Sequence, residues 1–160
     1  VREGWLETAL RCLEADPKVG IVGFKFLYPD GHIQHAGGTF IRAGVPVHLG
    51  LGEEGDSHRE IKEVMWVSGP CVLVRRECLG KGWDEEYDSW GGHEDVDLCL
   101  TARQNGWKVL YCGQAVVVHD EGATMAKLPN FWEMHNRART IFSEKWTGSH
   151  WVNPEVLSVS

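Results

Sequence analysis

No apolar run in this chain approaches the roughly 20 residues that a membrane-spanning helix needs. The five cysteines are scattered, with no Cys-x-x-Cys pair. That spacing removes the common structural zinc sites, and the odd count points to free thiols in a reducing compartment rather than a disulfide framework. Basic residues are the minority, 16 against 23 acidic ones, for a formal charge of −7. With no basic cluster either, a nucleic-acid-binding surface is excluded. A Gly-rich phosphate loop and clean βαβ repetition are both missing, which sets aside a complete dinucleotide-type fold. There is no internal repeat, low-complexity tract or linker. What is present is a globular composition, 42% hydrophobic and 24% charged over 160 residues, enough for one domain with a real core. Eight tryptophans are many for this length. Platforms for sugar rings use such side chains, but core filling explains most tryptophans in most proteins.

Periodicity predicts an amphipathic helix over residues 2–15, with Trp5, Leu6, Ala9, Leu10 and Leu13 on one face, ended by Asp16-Pro17. Gly20 to Tyr28 reads as a strand. Pro29-Asp30-Gly31 is a turn, and His32 to Gln34 a short return strand. From Ala36 to about Lys62 the pattern fails, and glycines, histidines and charges predict a long surface loop. Val64 to Arg75 reads as a strand pair or bent strand broken at Ser68-Gly69-Pro70. Lys108 to Tyr111 and Ala115 to Val118 read as two short strands. Asn130 to about Lys145 is a final helix, with Phe131, Met134, Ala138, Ile141 and Phe142 at helical spacing.

The densest chemistry lies in Trp90-Gly91-Gly92-His93-Glu94-Asp95-Val96-Asp97-Leu98. Behind the glycines comes a helical pattern running to about Asn105, with Val96, Cys99 and Leu100 on one face and Gly106 as the stop. Glu94 and Asp95 then fall in the first helical turn, where free N–H groups and the helix dipole favour an ionised carboxylate. A carboxylate fixed at a loop-to-helix junction could act as a general base. Acidic residues are common in first turns, and for Glu94 and Asp97 that plain explanation suffices. For Asp95, the two preceding glycines allow something to approach the backbone closely.

Trp-Gly-Gly-x-Glu-Asp-x-Asp-Leu, then Arg103-x-x-Gly106 and a strand ending in His119, resembles the second half of a family 2 glycosyltransferase. Pro17-x-Val19-Gly20-Ile21-Val22-Gly23 and Tyr28-x-Asp30-Gly31-x-Ile33-Gln34-His35-Ala36-Gly37 are similar to the rhamnosyl- and galactofuranosyl-transferase-like members. So are Val67-Ser68-Gly69-Pro70-Cys71 and Gly82-Trp83-Asp84-Glu85-x-Tyr87. The four pieces keep the family's order and span nearly the whole chain. The resemblance implies an α/β fold, a partial GT-A-like domain of mixed sheet with flanking helices. It implies that residues 1–160 form the acceptor-side half of that domain, without the N-terminal nucleotide-binding half and its Asp-x-Asp motif.

The resemblance further implies inverting transfer from a nucleotide-sugar to a saccharide or glycan acceptor in bacterial cell-surface polysaccharide synthesis. Asp95 would be the base, with Trp90, Gly91, Gly92 and Glu94 facing the acceptor. His119 would complete the shell of a Mn²⁺ or Mg²⁺ ion. On its own residues, His119 reads as a loop histidine at a strand exit, and only the resemblance brings the metal reading level with that. Trp90 could equally be a core or hinge residue. His93 reads as a loop residue, and so do His32, His35 and His48, which lack metal spacing. Arg75 and Arg76 could meet a diphosphate, but a solvated strand end explains them better. The competing functions are a non-catalytic carbohydrate-binding or interaction module and a metal-dependent hydrolase built on His93, Glu94, Asp95 and His119. The expectations that follow are little nucleotide-sugar binding by the chain alone, self-association as a homodimer, and a cytoplasmic location, free or peripheral to the inner face of the membrane.

Overall fold

The computed structural model describes residues 1, 3–41, 44–87, 92–120, 122 and 127–152. Its centre is β1 (Val19–Leu27), nine residues all buried. A largely apolar run is what a strand covered on both faces requires, and the one charged residue in it, buried Lys25, donates from Nζ to Gly55 O at 3.0 Å. On one edge β1 pairs in parallel along its whole length with β7 (Lys108–Val118). The other edge is shared by two antiparallel partners: β6 (Val72–Val74) against Ile21–Gly23, and β2 (Ile33–His35) against Phe26 and Leu27. A short antiparallel strand, β5 (Ile61–Glu63), closes the far side of β7. The result is a five-stranded mixed sheet, with a separate hairpin of β3 (Gly38–Ile41) and β4 (Val45–His48).

Helices cover both faces. On one, α1 (Trp5–Glu14) packs Trp5, Ala9, Cys12 and Leu13 against Val22, Phe24, Phe26 and Cys112. On the other, α3 (Glu94–Gln104) and α4 (Phe131–Trp146) join the hairpin around Tyr111, Leu100, Phe142 and Trp146. A one-turn α2 (Arg76–Leu79) follows β6, and a 3₁₀ turn spans His150–Val152. This is the mixed α/β architecture of a partial GT-A-like domain. No described helix is long and apolar enough to cross a membrane.

Several expectations change. Leu6 and Leu10 are exposed, so the buried stripe of α1 is shifted toward Cys12. The segment taken as a long loop contains the β3–β4 hairpin and the start of β5. Its strands are four residues or fewer, too short for alternation to show among so many glycines. Val64 to Arg75 is not a strand pair. Only Val72–Val74 is a strand, while Trp66 makes an isolated bridge to Gly38. The two short strands at 108–118 are one strand. Cys112 pairs with Phe24 but Val116 with Lys25, so residues 113–115 bulge out of register. All five cysteines are free thiols, as their spacing suggested.

Candidate active site

The loop before α3 turns left-handed at Gly92 (φ 78°) and again at His93 (φ 74°), the residue capping the helix. Glycine takes that conformation freely, but a histidine does so at a cost, of order 1–3 kcal/mol. The His93 ring is held by contacts at 5.3 Å to Phe142 and 5.6 Å to His135. Burial first, then the charges of His135 and Arg139, push its pKa down to about 4. His93 is therefore a neutral, packed cap rather than a free loop residue.

The three acids that follow share one turn and face different partners. Asp95 is gripped by backbone: Gly69 N–H donates to Oδ2 at 2.9 Å and Val96 N–H to Oδ1 at 2.8 Å. Glycine at position 69 eases that grip, since a Cβ there would stand 3.1 Å from the Asp95 Cβ and one of them would have to give by a few tenths of an ångström. Burial raises the Asp95 pKa and the two N–H bonds oppose it; a charge on nearby His48 would oppose it too. Glu94 has no such support. Its Oε2 is buried with no hydrogen-bond partner among the described residues. Burial, then the charge of Asp95, lifts its pKa to about 7.

Asp97 is only 3% exposed and points the other way. It accepts from Trp146 Nε1 at 2.7 Å, Tyr87 hydroxyl at 3.2 Å and Lys145 Nζ at 3.0 Å, tying α3 to α4. It is a structural clamp, so substituting it is not the inert control that its spacing from Asp95 suggests.

Glu94 and Asp95 line a cavity of about 1330 Å³ together with Gln34, His48, Ser68 and His119, and α4 forms the opposite wall. His119 reaches it from the end of β7, its N–H bonded to Leu27 O at 2.9 Å. Its Nδ1 lies 2.7 Å from Gln34 Oε1, while Gln34 Nε2 is directed at His119 O at 3.4 Å. The amide oxygen accepts the Nδ1–H, which leaves Nε2 bare, the form in which imidazole binds metals. Among the described residues no group of three His, Cys, Asp or Glu side chains is arranged to hold a metal. His119 has the chemistry of one ligand, and the described residues hold no complete set.

The structure thus brings Asp95, Glu94, Gly92 and His119 to one cavity. Trp90 and Gly91 lie outside the described residues. Arg75 meets no ligand site: its guanidinium donates to Leu13 O at 2.7 Å and Val19 O at 2.9 Å. Arg103 likewise caps the carbonyls of Val64 and Met65 and pairs with Glu63 at 2.9 Å. Sequence reasoning missed Gly69 and Gln34 as site residues. It also misread His35 and His48, which sit on β2 and β4 and not in loops, with their Nδ1 atoms 2.9 Å apart.

Residues 54–141, which include β5 to β7 and all three acids, match the family described as Glycosyltransferase like family 2. The chain is 31% identical over 133 residues to the O-antigen biosynthesis protein RfbC of Myxococcus xanthus, covering 78% of this chain and 10% of that protein. It is 27% identical over 167 residues to the N-acetylglucosaminyl-diphospho-decaprenol L-rhamnosyltransferase of Mycobacterium tuberculosis, covering 94% of this chain and 54% of that enzyme. Its identity to the uncharacterized protein y4gI of Sinorhizobium fredii is 33% over 127 residues, 75% of this chain and 14% of the other. The chain spans about half the length of the rhamnosyltransferase and far less of the other two. The matched segment holds the Glu-Asp-x-Asp turn, its Gly69 grip and the strand ending at His119, and on that ground the chain belongs to the family 2 glycosyltransferases, among their rhamnosyltransferase-like members.

Proposed function

We propose that residues 1–160 form the acceptor side of an inverting, nucleotide-sugar-dependent glycosyltransferase in which Asp95 is the general base. The observation that carries this reading is the hold on Asp95. Each carboxylate oxygen accepts one backbone N–H, which fixes its orientation and leaves a second lone pair on each for a substrate proton. Partial burial keeps the group more basic than a solvated aspartate. An acceptor hydroxyl donating to Asp95 loses its proton as its oxygen attacks the anomeric carbon, opposite the departing nucleoside diphosphate. Glu94, with a pKa of about 7, is poised to accept from or donate to a second acceptor hydroxyl.

His119 would offer its bare Nε2 to a Mn²⁺ or Mg²⁺ ion, which would need further ligands than the described residues group around it. When bound, such an ion stabilises charge on the leaving diphosphate. Gln34 holds the ring for that role. The relatives' names, one an O-antigen biosynthesis protein and one a rhamnosyltransferase, support a place in bacterial cell-surface polysaccharide assembly, with a saccharide acceptor.

The test uses a longer protein containing this segment, with a panel of UDP-, GDP- and dTDP-sugars, Mn²⁺ and saccharide acceptors. The expected result is transfer with inverted anomeric configuration, read by NMR of the product. Donor-independent saccharide binding without transfer would favour a carbohydrate-binding module instead.

A further inference from the structure

His35 is fully buried on β2, beneath Trp66 and Phe26. Ser68 N–H donates to its Nε2 at 3.2 Å. A backbone N–H can only donate, so that nitrogen must be bare, and a neutral His35 then carries its proton on Nδ1. Charging this ring is strongly disfavoured by burial, and any charge on His48 would disfavour it further. The Nδ1–H is directed at His48 Nδ1, 2.9 Å away. That nitrogen must in turn accept, which places the His48 proton on Nε2. Adding a second proton to His48 would set two N–H groups against each other at 2.9 Å. Reversing His35 to relieve the clash would set its Nε2–H against the Ser68 N–H. The direction of the whole chain is therefore set by one backbone amide, on the residue next to Gly69.

His48 ends β4 and lines the cavity with Asp95. His48 is itself exposed at the strand end; the titratable groups near it include His35 from β2 and Asp95 from α3, and Trp66 packs against its ring at 4.9 Å. Glu94 and His119 share the cavity. A protonated imidazole beside Asp95 would lower its basicity through ion pairing.

We propose that His35 is a positioning residue for Asp95: through the Ser68–His35–His48 hydrogen-bond chain it holds His48 neutral, with its proton on Nε2, so that the cavity wall beside the base carries no positive charge. The proposal rests on the reading of Asp95 as the base, but the lock itself can be observed without any transfer reaction.

The experiment is long-range ¹H–¹⁵N NMR of the histidine rings in this chain between about pH 5 and 8, the window in which free imidazole titrates. In the wild type, His48 should keep a protonated Nε2 and a bare Nδ1 throughout, and His35 the reverse. His35→Asn, whose amide can replace the Nδ1–H donor, should keep His48 in that state. His35→Leu should let His48 titrate near the ordinary value of about 6.5, and the Asp95 carboxyl, followed by ¹³C, should then fall in pKa by about one pH unit. A wild-type His48 protonated on Nδ1, or one that titrates in the window, overturns the lock even if no variant folds. A His35→Leu protein with an unchanged Asp95 overturns the positioning role. Asp95→Asn retaining full transfer alongside an intact lock would instead refute the base assignment.

Discussion

The two faces of the central sheet are built on different terms. On the α1 face the buried residues are apolar side chains and thiols, with Cys12 and Cys112 in contact at 3.2 Å. On the cavity face, Gln34, His35 and Asp97 are buried, and Glu94 and Asp95 are partly so. Burying polar groups is costly unless each finds a partner. Here the partners are nearly complete: Ser68 and His48 for His35, His119 for Gln34, and Trp146, Tyr87 and Lys145 for Asp97. Glu94 Oε2 is an exception. One face is therefore maintained by area, the other by a network that must be satisfied member by member. Substitutions should behave accordingly.

The largest stability effect is expected at Asp97. Asp97→Asn removes the charge that Lys145 and Trp146 Nε1 share and puts an amide donor against one of them. Hydrogen bonds to charged groups are worth about 1.5–3 kcal/mol each, so a loss of about 3 kcal/mol by urea unfolding is expected, with α4 detaching from α3. Lys145 would also lose part of its raised pKa. Burial opposes that rise, but the bonds to Asp84 and Asp97 outweigh it.

Gly69→Ala should act next, and mainly on function. The new Cβ would crowd Asp95 and shift the carboxylate by a few tenths of an ångström against its backbone grip. We expect a loss of about tenfold in kcat, or about 1.4 kcal/mol of barrier, with a smaller change in melting temperature. If melting falls as much as for Asp97→Asn, Gly69 belongs to the fold rather than to the site.

Glu94 supplies a pH test. Its folded pKa of about 7 lies above the ordinary 4.5, so the native state holds the proton more tightly than the unfolded chain. The linkage is favourable below about pH 4.5 and is lost as pH rises toward 7. Glu94→Gln should flatten the fall in stability across that window, measured by melting temperature at each pH. Parallel curves for the two proteins would contradict a carboxyl whose pKa is raised by burial.

The smallest effect should come from the other face. Leu10 is 36% exposed on α1, and Leu10→Lys should change stability by no more than about 0.5 kcal/mol. The periodic apolar pattern alone predicts a core position and a cost of several times that.

That last contrast shows where the sequence could be read and where it could not. β1 was legible because nine apolar-rich residues fit a doubly covered strand. The start of α3 was legible because glycines and acids mark a helix N-terminus. Asp95 and His119 were singled out through motif resemblance, and the structure places both on one cavity. The hairpin was missed because strands of four residues among glycines carry no usable period. The His35–His48 pair was missed for a related reason: the two rings meet only once β2 and β4 are folded around Trp66, and no spacing along the chain encodes that meeting. Asp97 looked like a neighbour of the base, two residues along. Its clamp depends on Trp146 and Lys145, about fifty residues away.

The division of labour between Asp95 and Asp97 is the core of this account, and single-turnover transfer by the longer protein tests it most directly. Asp95→Asn and Asp97→Asn would be compared at saturating donor and at a temperature where both remain folded. General-base catalysis is worth roughly 10²–10⁴ in rate. Asp95→Asn should lose that much, with donor affinity nearly intact, while Asp97→Asn should keep a rate within about tenfold of wild type once its folded fraction is accounted for. A near-normal rate for Asp95→Asn, with the large loss falling on Asp97→Asn, would contradict the assignment of the base.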